Sequence, residues 1–214
     1  MRDFFQIALV GPSGRGKTYS FRNLNKDTTG FINMEGKPLP FKNEFKYYHK
    51  PISWQDAFSK LIEYAKNKEI QVVVLDSFSG YTDALLRTAR EIKKGYDIWS
   101  YYNEEIGKLL NLLKLYPKDI LITAHSELVE TEQGIEEKRI SVKAKEWRGL
   151  VEKEFTMVLF ANVRLTENNR EYYFELNSDG KTSAKTPPMF FEGKSVLPND
   201  SNEIIAEIKR VLEK

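Results

Sequence analysis

Short apolar runs that stop on a glycine or a polar residue recur through the first part of the chain. Residues 4–10 run into Gly11, residues 30–34 into Glu35-Gly36, residues 71–75 into Asp76, and Asp119–Ala124 into His125. Each run is too short for a helix and apolar on both faces, the pattern of strands buried inside a parallel sheet. Helical periodicity fills the gaps between them. It predicts a first helix over residues 17–25. A second, capped by Ser53 and reaching Lys66, has Trp54, Ala57, Phe58, Leu61, Ile62 and Ala65 on one face. Two more cover residues 81–94 and 99–116 and are separated by Gly95. Residues 126–148 are polar and charged and read as a mobile loop or a hairpin. Residues 155–162 and 170–176 pair antiparallel around Asn168-Asn169, and Ser201 caps an amphipathic helix within residues 201–214.

The pattern predicts a single α/β domain over residues 1–214. It has a mostly parallel central sheet flanked by helices and an antiparallel C-terminal extension. In such sheets, sites form at the carboxyl ends of strands. Gly11, Glu35, Asp76 and His125 all fall there.

Composition changes this picture little. The 214 residues are 41% hydrophobic and 30% charged, with a net charge of +2 and no cysteine. Disulfides and thiolate metal sites are excluded, and a nucleic acid would have to be held by a local basic patch. No apolar run approaches the roughly 20 residues of a membrane span. The N-terminus runs almost directly into a strand and has no signal-peptide pattern. The expectation is a cytoplasmic protein with no membrane partner.

The chemistry begins at Gly11. Gly11-Pro12-Ser13-Gly14-Arg15-Gly16-Lys17-Thr18, followed by Tyr19, fits G-x-x-x-x-G-K-[ST] between a strand and a helix. The glycines let successive backbone N–H groups converge on phosphate oxygens. Lys17 brings a point charge to the β- and γ-phosphates, and Thr18 offers a hydroxyl to Mg²⁺. The segment predicts a site for ATP or another nucleoside triphosphate with Mg²⁺, and hydrolysis of it. Asp76, closing the run Val72-Val73-Val74-Leu75, is placed to hold the metal; a strand-end cap for the next helix is the alternative. Ser77 follows where many ATPases carry a glutamate. Glu35 is therefore the candidate for orienting the attacking water, against a surface-turn role.

In order, the P-loop, Phe31-Ile32-Asn33-Met34-Glu35-Gly36, Val72-Val73-Val74-Leu75-Asp76-Ser77 and Leu121-Ile122-Thr123-Ala124-His125 resemble the ATPase core of RecA-like recombinases. The chain is most similar to short phage proteins of that type that act in single-strand annealing. The resemblance spans roughly residues 4–190. It implies a RecA-like P-loop NTPase fold, and matches Glu35 to the catalytic glutamate. His125 falls where such cores carry a polar sensor, usually glutamine; a buried, hydrogen-bonded histidine is the other reading. Lys185 resembles a late lysine that reaches a neighbouring subunit's nucleotide, with a solvated loop lysine as the alternative. The resemblance further implies single-stranded DNA as ligand, a homo-oligomeric ring or filament, a single-strand binding protein as a further partner, and the host cytoplasm for a phage protein.

Two stretches carry the residue types that hold single strands, cations for phosphates and rings for bases. After Asp76 come Arg87, Arg90, Lys93, Lys94, Tyr96 and Trp99. Residues 126–148 contain Lys138, Arg139, Lys143, Lys145 and Arg148, preceded by Glu127, Glu130, Glu132, Glu136 and Glu137. Amphipathic helices with core aromatics and a solvated hairpin explain the same residues without DNA. A nucleotide or small-molecule kinase is the other enzymatic class, although no compact arginine cluster suggests a lid. A helicase or assembly motor is the third.

Overall fold

The computed structural model describes residues 3–130, 134–167 and 169–213. In chain order the strands are β1 (Gln6–Val10), β2 (Thr29–Asn33), β3 (Tyr47–His49), β4 (Val72–Asp76), β5 (Asp119–Ala124), β6 (Ser126–Glu130), β7 (Glu136–Ile140), β8 (Met157–Thr166), β9 (Asn169–Glu175) and β10 (Val196–Pro198). The helices are α1 (Trp54–Lys66), α2 (Phe78–Ile92), α3 (Asp97–Lys114) and α4 (Ser201–Leu212). Eight strands form one sheet in the order β10-β9-β8-β1-β5-β4-β2-β3, and β6 pairs with β7 as a separate hairpin. From β3 to β8 every neighbouring pair is parallel; β9 and β10 add the antiparallel edge. The expected α/β sheet with an antiparallel extension is therefore present.

Strand alternation divides the core. Ala8, Val10, Ile32, Val73, Leu75, Ile120 and Ile122 face one side with α1, α2 and α3. Ile7, Leu9, Phe31, Val74, Leu121 and Leu159 face the other, with Phe21, Leu24 and the α4 residues Ile204, Ile205 and Ile208. Fully burying each such side chain contributes roughly 1.5–3 kcal/mol, so the strands are fixed in register and their carboxyl ends form one edge.

Three expectations need correction. The helix over residues 17–25 is only a 3₁₀ segment, Thr18–Asn23. Thr18, Tyr19, Ser20, Phe21 and Asn23 are weak helix formers, and Leu24 is already extended. The Asn25 carboxamide then accepts from the Asp27 and Thr28 amides and turns the chain into β2. The last helix is capped by Asp200, whose carboxylate accepts from the Asn202 amide at 2.9 Å. The Ser201 hydroxyl is instead buried against that of Ser20, 2.7 Å away. Finally, α2 and α3 begin earlier than their periodicity suggests, α2 because the Ser77 hydroxyl accepts from the Gly80 amide and caps it. The charged region 126–148 contains the β6–β7 hairpin, and its Glu132 lies outside the described residues, as do Asn168 and Lys214.

Candidate active site at the carboxyl edge of the sheet

The loop after β1 bends sharply into the 3₁₀ segment. Gly11 has φ +155°, and a Cβ there would sit 2.9 Å from the Ala161 carbonyl of β8. Gly16 has φ +81°, and a Cβ would meet Tyr172 at 3.0 Å and Asn199 at 3.1 Å. Only glycine fits either place. Asn199 donates to the Gly16 carbonyl at 3.2 Å, and Arg22 donates to the Asn199 carbonyl at 2.6 Å, so the segment before α4 clamps the loop from outside.

Lys17 is buried and turns its ammonium onto its own loop, donating to the carbonyls of Gly11 at 2.7 Å and Pro12 at 2.8 Å. Burial lowers its pKa to about 8 against the pull of Asp76 and Glu35. These carbonyls hold the charge that phosphate oxygens would otherwise take. Asp76 is almost wholly buried at the end of β4. Thr18 donates to it at 2.9 Å, and Thr123 of β5 makes a short hydrogen bond to its other oxygen. Desolvation raises its pKa, while these hydroxyl bonds oppose the rise. A buried, desolvated carboxylate beside a threonine hydroxyl fits a small divalent ion completed by phosphate and water. No group of three or more histidine, cysteine or acidic side chains able to hold a metal by itself occurs among the described residues.

Glu35 stands on the turn after β2. Asn33, buried at the end of the strand, shapes that turn. Its side-chain oxygen accepts from the Gly36 amide at 3.0 Å, and its nitrogen donates to the Lys37 carbonyl at 2.8 Å and the Tyr48 hydroxyl at 2.7 Å. Ser77 donates its hydroxyl to Oε1 of Glu35 at 2.6 Å. His125, half-buried just past β5, donates its backbone amide to Ser79 Oγ at 2.9 Å. Burial, and then Lys17, lowers its pKa, so the ring is neutral at pH 7.

These groups line one cleft of about 540 Å³ with Ser13, Gly14, Arg15, Gly16, Tyr19 and Tyr172. It brings together the P-loop from Ser13 to Tyr19, Asp76, Glu35 and His125. Gly11 and Pro12 sit directly behind Lys17 through its hydrogen bonds. Lys185 is not among the cleft residues. Its backbone exchanges two 2.9 Å hydrogen bonds with Val158; burial lowers the pKa of its ammonium, against the pull of Glu152 and Glu154.

The DNA candidates separate into two kinds. Arg139 pairs with Glu137 at 2.7 Å, Lys143 with Asp83 at 3.3 Å, and Arg148 with Glu127 at 3.7 Å. Lys138 and Lys145 are exposed, and the Lys138 backbone is tied to residues 181–183. By contrast, Arg87, Arg90, Lys93 and Lys94 are exposed with no carboxylate in ion-pair range among the described residues; Lys93 lies 5.7 Å over the Tyr101 ring. Trp99 is half-buried, edge-on to Tyr102 at 6.0 Å. Sequence reasoning did not single out Asn33, Thr123, Tyr172, Asn199 or Lys37. Of these, only Thr123 left a signal, as a hydroxyl in an otherwise apolar buried strand.

A phosphate loop at one strand end, with a buried aspartate at the end of a second strand and a carboxylate at the end of a third, defines a P-loop nucleoside triphosphatase. The sequence profile of the AAA domain family matches residues 4–187. The chain belongs to that family and is a P-loop ATPase. Enzymes of this kind generally use ATP with Mg²⁺. No curated protein matches the sequence. Among solved structures, a KaiC-like protein from the hyperthermophilic archaeon Pyrococcus horikoshii OT3 aligns with a TM-score of 0.49 at 13% identity, covering 86% of this chain and 82% of that one. The RadB recombinase aligns with a TM-score of 0.49 at 13% identity, over 80% of this chain and 81% of that one. No helix among the described residues is long and apolar enough to cross a membrane.

Proposed function

We propose that this ATPase is a RecA-like protein that acts on single-stranded DNA in phage-type recombination or annealing, within the host cytoplasm. The observation that carries the reading is the course of α2. Its first turn is capped by Ser77, the residue that holds Glu35; its later turns carry Arg87 and Arg90 and lead into Lys93 and Lys94, cations with no ion-pair partner among the described residues, beside Tyr96, which is 78% exposed. A single strand bound at that end would therefore act on the carboxylate through one rigid element.

In this reading the P-loop amides and Lys17 bind the triphosphate, with Lys17 exchanging its loop carbonyls for phosphate oxygens. Thr18 and Asp76 would hold Mg²⁺, which when bound would supply positive charge to the triphosphate. Glu35 orients the attacking water and accepts its proton as the new P–O bond forms. The bond to the β–γ bridging oxygen breaks, its electron pair leaves on ADP, and the proton passes on to phosphate or solvent. His125, neutral and next to the cleft, senses the phosphate. Lys185 lies away from its own cleft, so a catalytic role for it requires a second copy of the chain in a homo-oligomer. A single-strand binding protein would present the DNA.

The test is the ATPase rate with and without a single-stranded oligonucleotide. Several-fold stimulation, with affinity that falls steeply as salt rises, is the expected result. An unstimulated rate with no affinity for single strands at low salt would overturn the DNA reading and favour a small-molecule phosphotransferase. Unwinding of a tailed duplex would instead mark a helicase.

A further inference from the structure

The cleft contains a cation that the ATPase chemistry described above does not use. Lys37 lines it beside Glu35, with its side chain 80% exposed and its ammonium 3.7 Å from Oε2 of Glu35. Its position is built rather than incidental. Asn33, 1% exposed, holds the Lys37 carbonyl and the Gly36 amide, and Gly36 at φ +67° makes the turn. One anchored turn thus presents a carboxylate and an ammonium two residues apart. The backbone is fixed, but the four-carbon stem is free in solvent.

We propose that Lys37 is a catalytic residue that supplies, from the same chain, the cation that stabilises the γ-phosphoryl group during hydrolysis. A cation placed where charge develops is the usual means of lowering the barrier to phosphoryl transfer. Lys185 does not fill that place in its own chain, because it is not among the residues that line the cleft. Lys37 is within electrostatic reach of His125, on which Lys17 and Glu35 also act, so all four groups share one neighbourhood. Both oxygens of Glu35 have partners, Oε1 in Ser77 at 2.6 Å and Oε2 in Lys37 at 3.7 Å. A triphosphate carries more charge than one carboxylate and draws the ammonium away. Lys37 then contacts the γ-oxygens, and Oε2 turns to the water. The carboxylate is thereby released for use only when there is a phosphoryl group to attack.

The inference rests on the reading of Glu35 as the water-orienting group, and the experiment separates the two. Basal, DNA-free hydrolysis is measured in single turnovers of the full chain, with ATP affinity from titration of a fluorescent ATP analogue. Lys37→Gln is expected to slow the chemical step by about 10²-fold or more while ATP affinity changes by less than about threefold. Lys37→Arg is expected to keep much of the rate. Mixing Lys37→Gln with Lys17→Ala is expected to restore nothing, since no chain then carries both lysines. A wild-type rate in Lys37→Gln, a loss confined to ATP affinity, or rescue on mixing would each overturn the proposal. Glu35→Gln run alongside reports on Glu35 alone: if it turns over normally while Lys37→Gln is slow, the Glu35 reading fails and the cation stands. An unchanged melting temperature confirms that the exposed Lys37 substitution leaves the fold intact.

Discussion

The Ser77 hydroxyl is shared between two tasks, donating to Oε1 of Glu35 at 2.6 Å and accepting from the Gly80 amide at 2.9 Å. The Glu35 carboxylate and the start of α2 are thus joined by one oxygen. Glu35→Gln keeps the size and the hydrogen bond but removes the base, so kcat should fall by about 10²-fold or more with ATP binding retained. Ser77→Ala should lower kcat less and also lower stability by about 1 kcal/mol through the lost cap. Steady-state kinetics beside thermal melts separates the two effects.

Burial works against Lys17 in the nucleotide-free protein. Its pKa falls from 10.5 to about 8, so between those values the unfolded chain holds more protons than the folded one. Its contribution therefore makes stability rise with pH across that window. At neutral pH it costs on the order of 1–3 kcal/mol. Lys17→Met should raise the melting temperature of the nucleotide-free protein at pH 7 while abolishing turnover. Phosphate oxygens favour the ammonium, so ATP binding near pH 9, about one unit above the folded pKa, should take up protons. Calorimetry in buffers of different ionisation heat reads this directly; no proton uptake would mean that Lys17 does not meet the phosphates.

Asp76 accepts from Thr18 and Thr123 while buried and desolvated. Asp76→Asn keeps an acceptor and removes the buried charge. Mg²⁺-dependent hydrolysis should fall by about 10²-fold or more. Binding of Mg²⁺-free nucleotide should hold within a few-fold, and the nucleotide-free protein should melt no lower than wild type. Equal loss of both kinds of binding would point to a structural role.

Reversing the unpaired Lys93 and Lys94 to glutamate should weaken single-strand affinity and flatten its salt dependence more than reversing Lys143 and Lys145, since Lys143 is already paired with Asp83. Anisotropy titrations at several salt concentrations compare the pairs. Trp99→Ala should mainly lower the melting temperature, because that ring packs against Tyr102.

The sequence alone determined β1, β2, β4 and β5, the P-loop and the strand-end positions of Glu35, Asp76 and His125, but not the edge strand β3 or the parallel pairing of β8 with β1. The features it determined are local. A buried strand needs an unbroken apolar run, and a loop wrapping a phosphate needs glycines at fixed spacing beside a lysine and a threonine. What depends on distant partners was decided only by the tertiary structure. Thr18–Asn23 stays a 3₁₀ turn because Ser20 meets Ser201 and because Asn25 redirects the chain into β2. Ser201 leaves the cap to Asp200 for the same reason. Thr123 faces Asp76 only because β5 lies beside β4 in the sheet, and Asn199 reaches Gly16 across 183 residues of chain. Which cations are free followed the same rule. Charge is written in the sequence, but an ammonium's availability depends on whether folding sets a carboxylate beside it. Lys143 met Asp83, and Lys37 was set at the cleft by a buried asparagine four residues before it.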